Sequence, residues 1–467
     1  MCCGKRKNCS PFYDLTDRIP FPKGCVNNLD TLISNVTVVT MNEKMDVLFG
    51  AYIGITDGKI STISKTAPTE QPKTIVDGTG MVAIPGLVNC HTHLAANALR
   101  CCFDDLSVRE ALEQLLQREA KMDSRCAKAA ATLGIAECLR FGITSISDLY
   151  YYPDATAQAA AEAGIKANIA LSAYRFEADS EEFDFDTDPQ CQELARVVEK
   201  WHNYDHGRIR IDCGIHAEYT GNHQLWDGLS TFAQEKGLGM QLHLSETAQE
   251  AESCADRTGL YPAQLLDCHG MFSVPATVAG CAGLTPEERA LLSRRKATAV
   301  ITPATAAKNG SPATDVLACV KTGMNVALGT GGAHECGSMD MFDQIRAALQ
   351  DARRSAGKIE AMPAQAALMM ATFCGARAQG RGEESGMLKE GMDADLVLVD
   401  FSAPHLIPCL NVLGGLAFCA HGGDVAMTMV RGNILYQNGQ FPTLDLKQAV
   451  EELTTYAIPR LFAENKS

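Results

Sequence analysis

The sequence predicts an α/β protein in which a (β/α)8 barrel is joined to a small β-sandwich. Two observations support this prediction. The middle of the chain alternates apolar, strand-like runs with helical patterns through eight strands. Both ends of the chain instead carry short strands separated by tight turns. With 467 residues and 46% apolar content, the chain is long enough to bury a core of this size.

The predicted barrel strands are apolar runs that helical patterns separate. The candidate strands are residues 86–91, 143–149, 166–172, 208–216, 239–245, 276–280, 297–301 and 325–330. The clearest helical patterns are residues 106–121, 125–141, 155–163, 189–202 and 224–235. Strands that alternate with helices are typical of parallel sheets, and eight such strands form a closed barrel.

The two chain ends have the patterns of paired strands and hairpins. The candidate strands are residues 31–40, 51–55, 60–63, 393–400, 426–430 and 434–437. The sequence Thr-Asp-Gly-Lys at residues 56–59 is a hairpin turn signal. Since the termini of a domain often lie close together, we expect one composite sandwich from residues 25–84 and 388–445. The barrel then spans residues 85–387.

Composition limits the partners and the compartment. The net charge of −15 argues against nucleic acid and anionic membranes as partners. No run approaches the roughly 18 apolar residues of a membrane helix. The amino terminus has basic residues without an apolar segment after them, so we expect a cytoplasmic protein. The 19 cysteines are scattered, which favours reduced thiols, and we expect Cys2 and Cys3 to lie in a solvated tail.

A His-x-His motif ends the first predicted barrel strand. Residues i and i+2 of a strand face the same side, so His91 and His93 both point into the barrel mouth. Two neutral imidazoles on one face suit a divalent metal such as zinc or iron. The alternative is that both are polar residues that cap a strand. We interpret the pair as metal ligands because it follows a buried strand in a barrel pattern.

Two further strand ends carry groups that suit the same site. His243 ends the fifth strand and offers a third nitrogen ligand, and Glu246 lies three residues later, where it could pass protons to and from water. The alternative is a core histidine beside a surface glutamate. His216, at the end of the fourth strand, is placed to contact a substrate, although a hydrogen-bonded core histidine has the same pattern.

These residues lie in stretches that resemble the amidohydrolase superfamily. The similarity is to the cytosolic aminohydrolases that deaminate S-adenosylhomocysteine and methylthioadenosine, and to the triazine chlorohydrolases, over roughly residues 31–450. The stretches that carry it are residues 85–93, 99–106, 141–150, 214–220, 243–247, 326–342, 386–396 and 403–406. Together and in order they are highly specific.

The resemblance implies a role for each matching residue. In that family, two histidines of the first strand and one of the fifth bind a metal, which implies His91, His93 and His243 here. A glutamate three residues after the strand-five histidine moves protons, which implies Glu246. Substrate contacts are implied for three further residues: His216, Glu119 and Arg100.

The chain departs from the family pattern at two strand ends. The sixth strand of the family ends in a histidine that orients the attacking water, and Gly280 stands there. The eighth ends in an aspartate that binds the metal and accepts a proton from water, and Gly331 stands there. Matching segments on both sides of Gly331 fix the register. Because both changes remove bulk, we expect a wider cavity in the barrel mouth.

Three consequences of these glycines are open. The three histidines could hold the metal alone, with Glu246 as the only proton shuttle. A side chain on the loop after strand eight could compensate, and His334, Glu335 and Cys336 lie on that loop. Finally, the site could be silent and the fold could serve binding or assembly.

The sequence therefore predicts a metal-dependent hydrolase that attacks a C–N bond in a purine-, nucleoside- or triazine-like small molecule. Its cofactor is one divalent metal, zinc or iron, and the attack is by metal-bound hydroxide. The alternative is a catalytically silent homologue that binds a nucleoside-like ligand or a partner. Members of the resembled family commonly form dimers or tetramers, so we expect a homo-oligomer.

Overall fold

The computed structural model describes residues 29–106, 108–176 and 181–463. Its strands are Leu29–Val39 (β1), Val47–Thr56 (β2), Lys59–Ser64 (β3), Pro72–Asp77 (β4), Met81–Pro85 (β5), Leu87–Thr92 (β6), Ile143–Tyr150 (β7), Lys166–Leu171 (β8), Ile209–Gly214 (β9), Met240–Leu244 (β10), Ala276–Gly280 (β11), Thr298–Ile301 (β12), Asn325–Leu328 (β13), Leu396–Asp400 (β14), Val425–Val430 (β15) and Asn433–Gln437 (β16). The predictions for Cys2, Cys3 and residues 25–28 lie outside the described residues.

The helices lie mainly between the barrel strands. They are Val108–Glu119 (α1), Ser124–Arg140 (α2), Pro153–Ala163 (α3), Pro189–Trp201 (α4), Tyr204–Gly207 (α5), His223–Lys236 (α6), Ala248–Thr258 (α7), Pro262–Cys268 (α8), Pro286–Arg294 (α9), Pro303–Lys308 (α10), Val316–Lys321 (α11), Ala333–Cys336 (α12), Met341–Ala356 (α13), Ala364–Met370 (α14), Phe373–Ala378 (α15), Val412–Gly414 (α16), Leu446–Glu452 (α17) and Ile458–Leu461 (α18). Among the described residues, no helix is long and apolar enough to cross a bilayer.

Local sequence explains where several helices begin and end. Asp188 and Thr285 accept hydrogen bonds from backbone N–H groups in the first turns of α4 and α9, and each of these helices starts with proline. Thr247 caps α7 in the same way. Helix α6 ends at Gly237, whose left-handed backbone (φ 67°) stops the helix without strain. These signals explain why the predicted helices overlap the observed ones.

Strands from both chain ends form one mixed sheet. Its order is β16-β15-β14-β5-β1-β2-β3, and β4 pairs with β1. Strand β14 joins the two chain ends because it pairs antiparallel with β5. The predicted hairpin turn is present, with positive φ at Asp57 (51°) and Gly58 (73°). We propose that this sheet is the core of one domain, residues 25–84 with 388–445, and that residues 85–387 form the other.

The predicted eight-stranded barrel is confirmed. Strands β6 to β13 run parallel and follow one another in chain order around the barrel. A parallel bridge between Thr92 and Gly331 brings the last strand end to the first. Two hydrogen bonds strengthen this closure, from Asn89 Nδ2 to Thr330 Oγ1 at 2.8 Å and from Thr330 N to Asn89 Oδ1 at 3.1 Å. The carboxyl ends of all eight strands therefore meet at one mouth.

The opposite, amino-terminal end of the barrel buries paired charges. Lys166, the first residue of β8, is fully buried, and its Nζ lies 2.7 Å from Asp393 Oδ2 and 2.6 Å from Asp395 Oδ2. Burial favours the neutral form of Asp393, but Lys166 and Lys59 outweigh it and lower the pKa of that carboxyl to about 2. Because both aspartates directly precede β14, these ion pairs attach the mixed sheet to the barrel.

Candidate metal centre

Three buried histidines converge at the carboxyl end of the barrel. His91 lies in β6, His93 follows directly after that strand, and His243 lies in β10. His243 Nε2 is 3.1 Å from His91 Nε2 and 3.3 Å from His93 Nε2. Strands β6 and β10 lie on different sides of the barrel, and each contributes the imidazoles of its carboxyl end. The structure thus brings together the three residues that were predicted to bind a metal.

Hydrogen bonds fix the proton positions on two of these rings. His93 Nδ1 lies 2.7 Å from the carbonyl oxygen of Leu149, and His243 Nδ1 lies 2.7 Å from that of His216. A carbonyl only accepts, so each Nδ1 carries the proton and each Nε2 presents a lone pair. Two lone pairs 3.3 Å apart in a buried site repel each other unless a cation lies between them. The arrangement therefore favours a bound metal ion.

The electrostatic environment keeps these imidazoles neutral. Burial and the neighbouring ring of His93 lower the pKa of His243 to about 4. Burial and the ring of His243 lower the pKa of His216 to about 3. The pKa values of His91 and His93 also fall below the ordinary value, first because of burial. A neutral imidazole is the form that binds a metal ion.

Glu246 lies at the rim of the mouth, on the loop after β10. The Glu250 carboxylate accepts hydrogen bonds from the backbone N–H groups of Ser245 at 2.9 Å and Glu246 at 2.8 Å, which holds the loop. Ser245 adopts a left-handed backbone (φ 48°) at this bend. Enclosure by the barrel walls and the negative charges of Glu335 and Glu250 raise the pKa of Glu246 to about 8. The raised pKa makes Glu246, exposed at the mouth, a group that can take up and release a proton near neutral pH.

Glutamate side chains occupy the space beside Gly280 and Gly331, the two glycines at which the sequence departs from the pattern of the resembled family. A Cβ on Gly280 would lie 2.6 Å from Glu246 Cγ, and a Cβ on Gly331 would lie 2.7 Å from Glu335 Oε2. Both glycines have positive φ, 96° and 70°. The expectation of a wider cavity is therefore wrong at these two points, because side chains from neighbouring loops take the room.

The loop after β13 places its three candidate groups differently. Glu335 Oε2 accepts a hydrogen bond from the Gly332 N–H at 3.1 Å, and 36% of the Glu335 side chain is exposed. His334 is buried, and within the described part of the chain its Nδ1 has no hydrogen-bond partner. Burial and the charge of Glu335 raise the pKa of Cys336 to about 12. Burial thus favours the neutral thiol of Cys336, and its sulfur is not part of the histidine cluster.

Glu119, at the end of α1, is linked to the barrel mouth by a hydrogen bond with Tyr150. The Tyr150 hydroxyl donates a hydrogen bond to Glu119 Oε1, and the Tyr150 ring lies 6.1 Å from the ring of His93. Burial raises the pKa of Glu119 to about 7, against the opposing hydrogen bond from Tyr150. Glu119 therefore offers an acceptor or a donor beside the metal cluster.

His216 and Arg100 differ in their contacts. The His216 ring is 4.9 Å from that of His243, and its Nδ1 has no hydrogen-bond partner among the described residues. Arg100 instead pairs with Glu137 and donates a hydrogen bond to the carbonyl oxygen of Gly337 at 2.6 Å. The geometry leaves His216 available to a ligand, whereas Arg100 contacts the loop after β13.

The sequence interpretation missed three residues that organise the mouth. Besides Tyr150 and Glu250, buried Asp148 accepts hydrogen bonds from Leu94 N at 2.7 Å and Thr92 Oγ1 at 2.9 Å, which holds the turn after the His-x-His motif. Asp148 and Tyr150 lie at the carboxyl end of β7. That position was the available signal, since barrel sites are built from strand ends.

The sequence matches the amidohydrolase family over residues 82–435. It is 33% identical over 428 residues to a 5-methylthioadenosine/S-adenosylhomocysteine deaminase from Moorella thermoacetica, which covers 91% of this chain and 98% of that one. It is also 33% identical over 429 residues to a 5'-deoxyadenosine deaminase from Methanosarcina acetivorans, covering 92% and 98% of the two chains.

Solved structures show the same fold. An adenosine deaminase from Xanthomonas campestris with bound zinc superposes with a TM-score of 0.87 at 27% identity, covering 93% of this chain and 99% of that one. An atrazine chlorohydrolase from Arthrobacter aurescens complexed with zinc superposes with a TM-score of 0.83 at 23% identity, covering 92% and 100%. The second similarity concerns the fold alone.

Proposed function

This chain belongs to the amidohydrolase family, and we propose that it is a metal-dependent deaminase of an amino-substituted purine nucleoside or a related ring. The observation that carries the proposal is the convergence of His91, His93 and His243 at 3.1 and 3.3 Å, with two Nδ1–H groups held by carbonyl oxygens. Its relatives include deaminases of methylthioadenosine and 5'-deoxyadenosine.

The three histidines fit a divalent metal such as zinc, with iron as the alternative. Nitrogens bound to one tetrahedral zinc ion lie about 3.3–3.4 Å apart, given Zn–N bonds of about 2.0–2.1 Å. The observed separations of 3.1 and 3.3 Å match this value. When bound, such a metal makes water a nucleophile at neutral pH. A zinc-bound adenosine deaminase with the same fold supports zinc as the first choice.

Glu246 supplies the proton that the reaction needs. Hydrolysis of an aromatic amine adds water to the ring carbon and releases ammonia, which leaves only after its nitrogen has been protonated. Glu246 lies at the rim of the mouth against Gly280, and its raised pKa allows the carboxyl group to carry a proton near neutral pH. A carboxylic acid in this state is suited to act as the general acid.

Aromatic side chains support a planar ring as the substrate. From His93 a series of rings runs outward: Tyr150, Tyr151 at 5.0 Å, Tyr174 at a further 6.1 Å and exposed Phe176 at a further 5.5 Å. Rings of this kind pack against a heterocycle and its apolar substituent. We assign His216 and Glu119 to hydrogen bonds with the substrate, and Arg100 to the same contact network through the loop that it holds.

The test combines metal analysis with an ammonia assay on purified protein. We expect one metal per chain and ammonia release from at least one compound among adenosine, 5'-deoxyadenosine, methylthioadenosine, S-adenosylhomocysteine, guanine and cytosine. A chain without metal and without ammonia release would instead support the alternative, a silent homologue that binds a nucleoside-like ligand. Equilibrium binding of methylthioadenosine to that chain would then identify the retained function.

We further propose that the protein is a cytoplasmic homo-oligomer that acts on a small molecule. The metal cluster and the aromatic series both lie in the barrel mouth, which suits a small ligand. Light scattering on the purified full chain measures the oligomeric state, and a mass equal to one chain would contradict the proposal.

A further inference from the structure

Glu335 occupies the space that a side chain at residue 331 would take. A Cβ on Gly331 would lie 2.7 Å from Glu335 Oε2, closer than such a contact permits. Gly331 is itself tied to the metal cluster, because its N–H donates to the carbonyl oxygen of His91 at 3.0 Å. The carboxylate of Glu335 therefore stands beside the strand end at which the family carries its aspartate.

The short helix α12 and its neighbours hold this carboxylate in place. Glu335 Oε2 accepts from the Gly332 N–H at 3.1 Å, at the start of the helix. After the helix, Arg100 donates to the Gly337 carbonyl oxygen at 2.6 Å, and the Glu137 carboxylate accepts from the Met339 N–H at 3.2 Å. The second oxygen, Oε1, is 4.0 Å from the nearest His334 nitrogen, beyond hydrogen-bond distance. One carboxylate oxygen is thus anchored and the other is available.

The Glu335 carboxylate could be a direct metal ligand or a group that acts on water, and its distance from the histidine cluster distinguishes these two roles. The ligand atoms of His91, His93 and His243 lie within 4.8 Å of one another, and Glu335 is not part of that group. Ligands of a single zinc ion lie at most about 4.4 Å apart, since each bond is about 2.0–2.2 Å. The negative charge of Glu335 nevertheless acts on His93 and His243. Glu335 therefore lies outside the ligand set of the three histidines, at a position that suits a group acting on the attacking water rather than a direct ligand.

We propose that Glu335 is the general base, which accepts a proton from the attacking water in place of the missing strand-eight aspartate. This inference rests on the proposed deaminase function. The water oxygen forms a bond to the ring carbon that carries the amino group, and one water proton passes to Glu335. Glu246 protonates the amine, the C–N bond breaks and ammonia leaves. The remaining hydroxyl proton moves to a ring nitrogen, and Glu335 returns its proton to Glu246 through water.

The first test is Glu335→Gln, which keeps the size of the side chain and removes the base. We expect kcat to fall about 10²–10⁴-fold, with KM and metal content unchanged. The absorption spectrum of the cobalt-substituted variant should match that of the wild type, because the ligands are the same. Glu360→Gln, a change on the protein surface, is the matched control and should leave kcat unchanged.

The second test moves the carboxylate back to strand eight. Gly331→Asp alone should lower activity, because the new side chain displaces the Glu335 carboxylate from its position. In the double variant Gly331→Asp with Glu335→Ala that carboxylate is gone, and Asp is among the residues that tolerate a left-handed backbone. We expect this double variant to exceed the activity of Glu335→Ala at least 10-fold. A merely structural role for Glu335 predicts instead that Glu335→Gln, which keeps the shape of the side chain, retains the wild-type kcat.

The outcomes distinguish this inference from the proposed function. If the wild type releases ammonia and Glu335→Gln does so at the same rate, the base assignment is overturned and the deaminase function stands. If Glu335→Gln loses its metal, Glu335 is a ligand and the assignment as a base is wrong. If the wild type binds no metal and releases no ammonia, both the proposed function and this inference fail.

Discussion

The two ends of the barrel treat ionisable groups in opposite ways. At the amino-terminal end, Lys166 lies 2.7 and 2.6 Å from two aspartate carboxylates, so opposite charges neutralise each other. At the mouth, Glu119, Glu246 and Glu335 make no ion pair with lysine or arginine within the described part of the chain. Enclosure by the barrel walls and the negative charge of Glu335 raise the pKa values of Glu119 and Glu246 to about 7 and about 8.

This difference indicates that the charged groups at the amino-terminal end of the barrel serve stability, whereas those at the mouth serve function. The charges at the amino-terminal end neutralise each other and need no ligand. Removing one partner of such a pair leaves the other buried and unpaired. The mouth instead concentrates carboxylates and neutral imidazoles, an arrangement that is costly for the folded protein unless a bound cation and substrate complete it. We therefore expect substitutions at the mouth to change binding and catalysis, and substitutions at the opposite end to change stability.

The largest expected effect is the loss of the metal from His243→Ala. The variant should contain no stoichiometric metal, because two remaining imidazoles make a weak site, and its ammonia release should vanish. Elemental analysis of the purified protein measures this. The control is His206→Asn, an exposed histidine near the opposite end of the barrel, which should keep one metal per chain. Full metal content in His243→Ala would contradict the assignment of the site.

The next effect is on the chemical step. Glu246→Gln should lower kcat about 10²–10⁴-fold, because the amide cannot give a proton to the leaving amine. The metal content should remain at one per chain, since Glu246 is outside the histidine cluster. Steady-state kinetics beside Glu252→Gln, an exposed glutamate of α7, provide the comparison. Equal kcat values in the two variants would remove Glu246 from the mechanism.

At the opposite end, Lys166→Met should change stability rather than catalysis. Removal of this buried ammonium leaves Asp393 and Asp395 without it, which should lower the free energy of unfolding by about 3–5 kcal/mol. Chemical denaturation of metal-loaded protein measures the loss. Lys59→Met removes the exposed partner of Asp393 and should cost less than about 1 kcal/mol. Two equal losses would show that burial of the ion pair does not matter.

The smallest expected effect is a pH dependence of stability at the same place. The pKa of Asp393 in the folded protein is about 2, below its ordinary value of 3.8. Its contribution, about 2 kcal/mol, is therefore present above pH 4 and disappears as the pH falls towards 2. Acid unfolding of Asp393→Asn beside the wild type measures it. The variant should lose less stability over this interval, and parallel curves would contradict the shift.

Much of the site could be predicted because strand periodicity and barrel topology are properties of the sequence. His91 and His93 share a face since they are two residues apart on a strand, and His243 ends a strand of the same barrel. Glu246 followed from its spacing to His243. In contrast, Asp148 and Tyr150 were missed although they also end a barrel strand. Their partners, the Leu94 N–H for Asp148 and Glu119 for Tyr150, are distant in the sequence and cannot be found from spacing.

The glycines show where sequence reasoning stops. The sequence has Gly280 and Gly331 where the resembled family has functional side chains. The absence of those side chains led to the expectation of a wider cavity. The structure places carboxylates of Glu246 and Glu335 against these positions instead. Sequence spacing shows that Glu246 and Glu335 lie close to a strand end along the chain. The backbone conformation of the loop after that strand determines the direction in which each side chain points.

The sequence by itself determined the barrel, the composite sheet and the three histidines, because these depend on local periodicity and on the order of strands. Only the tertiary structure decided which nitrogen of each histidine faces the cluster, which carboxylates face the glycines and which charges are neutralised. Those properties arise from contacts between residues far apart in the chain, such as His93 with Leu149 and Lys166 with Asp393. The fold is therefore a consequence of pattern, whereas the chemistry depends on how distant segments pack.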